Sequence, residues 1–183
     1  MDGVTFSQMN TSLKTILDSA EFNAFLTAAK SFCNFIETST LTGREFLFAS
    51  QDLLIELYRT AIKLTDAGVA DSHESIDIPD EEYKKILKSI GQRQPFQYYW
   101  IALNPIIEGE YKYDEGVGDV TDDVAEIYRE LKPALLLLES DSEDDKTNAV
   151  WELKFGFDNH WNDHCINALH ATHHYLEKHK YDE

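Results

Sequence analysis

Cysteine is scarce in this chain. Cys33 and Cys165 are the only two in 183 residues, and each falls within an apolar pattern, where a thiol behaves as a small hydrophobe. A disulfide framework is excluded, and none is needed: a single domain of this length buries about two-thirds of its unfolded surface. Long apolar runs are missing too. No stretch approaches a membrane span, and no basic segment leads into an apolar one at the start. Neither insertion nor secretion is expected, and the expected location is cytoplasmic. Positive charge is equally short, with 16 Lys and Arg against 34 Asp and Glu, a formal net charge of −18. Such a surface repels phosphate backbones, which argues against a nucleic-acid partner. It suits solubility, a basic protein partner or divalent cations, and composition does not rank the three.

Motifs of known chemistry are also few. "DEGVGD" at 114–119 has neither the spacing of a phosphate loop nor a strand read before it. Ser50 and Ser89 lie in ordinary helical patterns, with no nucleophile motif around them.

What is present is helical periodicity, with no convincing period of two, and it predicts an all-α, single-domain bundle of about six helices. Residues 1–19 are read as a peripheral segment, with a helix over about 6–18, and residues 20–179 as the core bundle. Phe22, Phe25, Leu26, Ala29, Phe32, Cys33 and Ile36 share one face of a helix over about 20–38. "TGRE" offers a capping box of Thr42 and Glu45 for a helix reaching about 66, with Phe46, Leu53, Leu57, Ala61 and Leu64 inside. A carboxylate-rich loop then leads to Asp80, read as the N-cap of a short helix ending at Gly91. The aromatic stretch 94–119 reads as a short helical piece followed by irregular chain. Two longer helices follow, about 121–139 with Thr121 as N-cap and Pro133 as a kink, and about 143–179 with one interruption.

The last of these carries "FDNHWNDHCINALHATHH" (157–174), which holds five of the seven histidines. At about 100° per residue, His160, His164, His170 and His174 share one side, bordering an apolar stripe of Trp161, Cys165, Leu169 and Leu176. Histidines at i and i+4 can bind one ion, but a stable site asks for further ligands. The zinc-protease helix motif is rejected, because Trp161 stands where its glutamate would be; so is a Glu-x-x-His pair. The nearest source of a third ligand is "VTDDVAEIYRELK" (120–132), where Asp123 and Glu130 border an inner stripe of Val120, Val124, Ile127 and Leu131. The candidate metal set is Asp123, His160 and His164, with Asp122 as a further oxygen or an orienter. The competing reading is architectural: carboxylates suit a first helical turn, border histidines satisfy loops, and histidines near a helix end complement its dipole.

Lys154 falls inside the apolar sector if the helix is regular. It then needs Asp122, Asp123 or Glu126 as a partner, since an unpaired buried charge is costly. If the helix breaks near Gly156, Lys154 faces solvent. The candidate polar cluster is therefore Asp122, Asp123 and Lys154, with Trp161 beside them.

With these residues in view, the chain resembles a family of bacterial proteins termed domain of unknown function 5063. The resemblance rests on "FCNFIE", "LLIELYRTAIKL", "YYW" with "NP", "DDVAEIYRELK" and "WELKFGFDNHWNDHCINALHATHH". It implies an all-helical bundle without an assigned activity. It also implies likeness at Asp122 and Asp123, at His160, Trp161 and His164, and a basic residue at Lys154. The acidic insert "SDSEDDKTN" departs from that pattern.

Three functions are weighed. The first is a non-enzymatic protein-interaction module, including a neutraliser of a basic partner, with no cofactor. The second is a metal-dependent, hydrolase-like enzyme using a divalent ion on Asp123, His160 and His164. The third is a metal-free acid–base enzyme with His160 or His164 as base and Asp122 as orienter.

Overall fold

The computed structural model describes residues 12–70, 77–103, 105–106, 109 and 114–182. Helix α1 (Leu13–Leu17) is followed by α2 (Ala20–Thr38), α3 (Gly43–Ala61) and α4 (Asp80–Arg93). Strands β1 (Tyr98–Ala102) and β2 (Glu115–Asp119) come next, then α5 (Val120–Leu137) and α6 (Glu143–Gly156). A π turn (Phe157–Trp161) joins α6 to α7 (Asn162–Lys178). This is an all-α bundle, and its six longer helices, α2 to α7, match the number expected. Of the N-terminal helix expected over 6–18, residues 6–11 lie outside the described residues. No described helix is long and apolar enough to cross a membrane.

Helix α2 forms where its pattern says. The Ser19 side chain caps it by accepting from the Phe22 amide, and Phe22, Phe25, Ala29, Phe32, Cys33 and Ile36 are all buried. Helix α5 is the hub, packing against α2, α4, α6 and α7. One apolar core runs from Phe25 and Phe32 through Leu57 and Ile127 to Trp161 and Cys165.

Several boundaries differ from expectation, each for a local reason. Thr42 holds the cap position of α3 but makes no side-chain cap bond. With Gly43 at φ 58°, the chain enters α3 through the left-handed region, which a capping box does not use. Helix α3 ends at Ala61, although Leu64 beyond it is still buried. Pro79 takes the cap position before α4, so Asp80 is its first residue, where a carboxylate meets the helix dipole. The same helix passes Gly91 and stops at Arg93. Arg93 holds it there by donating to Ile36 O at 2.8 Å and Ser39 O at 3.1 Å, so its buried guanidinium closes the C-terminal end of α2. Asp119, not Thr121, caps α5, accepting from the amides of Thr121 at 2.9 Å and Asp122 at 3.3 Å.

The largest correction is the ribbon. Residues expected to be helical and then irregular form two antiparallel strands, with Tyr99 opposite Gly118 and Trp100 opposite Val117. Exposure alternates along "YYWIA", but every residue there is apolar or aromatic, so no period of two shows in residue type.

Candidate functional site

The start of α5 and the start of α7 face each other, and their polar borders meet as the wheel suggested. Asp123 is the centre. Its Oδ1 accepts from His164 Nδ1 at 2.8 Å, and its Oδ2 accepts from the Tyr99 hydroxyl at 2.6 Å. His164 Nε2 stands 3.3 Å from His160 Nε2, and His160 Nδ1 bonds Glu130 Oε1 at 3.0 Å. A continuous polar chain results: Tyr99, Asp123, His164, His160, Glu130. Side-chain exposure along it is 7% at Asp123, 21% at His164, 47% at His160 and 30% at Glu130. Asp123 is the buried member, and the chain is most open to water at His160.

Local geometry explains the assembly. Tyr99 gets to Asp123 by laying its ring across β2 at Gly118, where a Cβ would stand 2.2 Å from the ring carbon Cζ. The glycine is there because the tyrosine needs its space. Glu130 uses a second such gap: a Cβ on Gly156 would meet its Oε2 at 2.5 Å. His160 lies in the π turn and His164 just after it. Such turns recur at functional sites because the extra residue re-aims side chains within a continuous helix.

Electrostatics follow the bonds. The hydrogen bond that His164 donates to Asp123 raises the His164 pKa above its ordinary value, against the opposing pull of burial. Partial burial, then the Glu126 carboxylate, hold Asp122 above the usual carboxylate range. Burial and the Asp123 bond push the Tyr99 phenol well above its ordinary value, so it remains a donor. A separate group lies further round α5, where the Tyr83 hydroxyl donates to Glu126 and the Arg129 guanidinium stands 5.1 Å from the Tyr83 ring centre.

The expected residues do not all converge. Asp123, His160 and His164 come together, but Asp123 holds the Nδ1 of His164 and does not stand beside the two Nε2 atoms as a third ligand. Asp122 contributes charge nearby. Lys154 does neither of the two things expected of it: the chain stays helical through Gly156 into the π turn, and Lys154 pairs with Asp158 of that turn at 2.6 Å. Trp161 is fully buried, edge-on to Phe157 with ring centres 4.8 Å apart and parallel to Phe25 at 6.5 Å. It belongs to the apolar core. Tyr99 is not legible in the sequence because its strand is not; Glu130 lies on the border that the helical wheel assigns it, and its bond to His160 gives it a role.

Fold and site together define an all-α bundle with a histidine–carboxylate chain at the α5–α7 seam. The model of the family described as Domain of unknown function (DUF5063) matches residues 17–178, and the chain belongs to that family. It is similar in fold to protein BF1032 from Bacteroides fragilis, solved as a crystal structure. The TM-score is 0.72 at 17% identity, covering 86% of this chain and 93% of that one. No curated protein matches the chain.

Proposed function

We propose that this chain is a non-enzymatic protein-interaction module of the cytoplasm, that its contact surface is the outward face of the β1–β2 ribbon, and that its partner is a basic protein. The observation behind this reading is the row of large apolar side chains on that face. Tyr98 is 66% exposed, Trp100 69% and Val117 62%, while the alternate residues Tyr99 and Ile101 face the glycines of β2. Aromatic side chains at this density are the anchors that binding surfaces use, since they bring large contact area with few rotatable bonds. Val117 stands between Glu115 and Asp119 on its strand. With a net charge of −18, the face favours a partner with apolar residues inside a positive rim and disfavours a second copy of itself.

The test is affinity purification from cells that naturally make the protein, at low and high salt, with wild type beside Tyr98→Ser/Trp100→Ser. The expected result is a basic protein held by wild type at low salt and lost from the variant. Unfolding midpoints of the two chains should agree closely, because exposed substitutions cost within about 0.5 kcal/mol. The same proteins on both chains, or none on wild type, would end the proposal.

A further inference from the structure

We infer that His160 and His164 form a two-imidazole site for a divalent cation of the zinc class, oriented by Glu130 and Asp123 and independent of the ribbon face. The argument starts from protons. Each Nδ1 points at a carboxylate, Glu130 for His160 and Asp123 for His164, and a carboxylate only accepts, so each neutral ring keeps its proton on Nδ1. Both Nε2 atoms then present lone pairs to one another at 3.3 Å. Two lone pairs at that separation repel unless a positive centre lies between them. Two nitrogens each about 2.0–2.1 Å from one tetrahedral ion stand about 3.3–3.4 Å apart, which is the separation found.

The surroundings also fit a metal more closely than a chance pair. Ligating imidazoles usually donate their second N–H to a carboxylate, which fixes the tautomer and makes the ligand more basic. Here both rings do so. His170 and His174 form an internal comparison: their Nε2 atoms are 3.1 Å apart, yet among the described residues neither Nδ1 bonds a carboxylate. Burial and the neighbouring rings lower the His170 pKa. Among the described residues no third His, Cys, Asp or Glu joins His160 and His164 as a ligand. Water or an incoming ligand completes the shell, and His160 lies open enough, at 47% side-chain exposure, to admit one. Nitrogen ligands select zinc, nickel, copper or cobalt over magnesium and calcium, which prefer oxygen.

The experiment is calorimetric titration of chelator-treated protein with Zn(II), alongside His160→Ala, His164→Ala, Asp123→Asn and His170→Ala. The expected result is one equivalent bound by wild type and by His170→Ala, with no saturable binding in His160→Ala or His164→Ala. Asp123→Asn should bind about 10–100-fold more weakly, because the ring loses its orienting carboxylate. Co(II) in place of Zn(II) should show the intense visible bands of a tetrahedral site in wild type alone of the first three proteins. Circular dichroism checks each fold, and exposed His160 keeps the test usable should His164→Ala unfold. Absence of saturable binding by wild type, or binding that survives His160→Ala, would overturn the inference; in the first case the positive centre between the rings is a shared proton.

Discussion

The Tyr99 hydroxyl meets Asp123 Oδ2 at 2.6 Å by passing over the backbone of Gly118. A strand, a glycine and the first turn of a helix are thereby tied into one unit. Gly118 does not have a left-handed φ, so the cost of a side chain there is steric alone. Gly118→Ala should destabilise the wild type by about 1–3 kcal/mol, the usual penalty of overpacking. In a Tyr99→Ala background the same change should cost close to nothing. Urea denaturation of the four proteins completes the cycle, and an equal penalty in both backgrounds would disprove the contact.

His164 offers a pH test, best made with chelator present. Its folded pKa is raised, first by the Asp123 hydrogen bond, with Asp123, Asp122 and Glu126 all adding negative charge nearby. A raised imidazole pKa means the folded state holds the proton more tightly than the unfolded chain. That stabilising contribution is complete below the unfolded value of about 6.5 and fades as pH rises through the folded pKa. Asp123→Asn should lower the His164 pKa, read from its ring-proton shifts by NMR. An unmoved pKa would show that Asp123 does not govern the ring.

Trp161 should behave as core. Trp161→Ala is expected to cost about 3–5 kcal/mol in chemical denaturation. A loss below about 1 kcal/mol would contradict full burial against Phe25 and Phe157.

Arg93 caps a helix that is not its own. Arg93→Met keeps much of the side-chain volume but leaves the Ile36 and Ser39 carbonyls without the donor they have, and should cost about 1–3 kcal/mol. Arg93→Lys should restore only part of this, because one ammonium cannot reproduce a planar fork aimed at several carbonyls. Full rescue by lysine would point to charge alone.

Legibility in the sequence followed how strongly residue type alternates. Helix α2 could be read almost to the residue, since its apolar positions recur at three and four with polar ones between. The meeting of Asp123 with His164 could be read from two helix borders. Tyr99 could not, because a strand whose every residue is apolar or aromatic hides its own alternation, and its glycine partner lies far along the chain. Lys154 was misplaced for a different reason. A regular wheel has no place for the π turn, and its partner Asp158 belongs to that turn.

That turn has a consequence for how relatives should be aligned. A π turn holds one residue more than the α-helical turn it interrupts. Deleting a single residue between 157 and 161 would let α6 and α7 fuse into one regular helix while leaving everything downstream in nearly the same phase, because the turn already absorbs the extra residue. His164 would still face Asp123, and only the side chains aimed by the turn itself, His160 among them, would be redirected. Among homologues, a one-residue gap at this point would therefore leave the Asp123–His164 pair in register and bear on His160 alone.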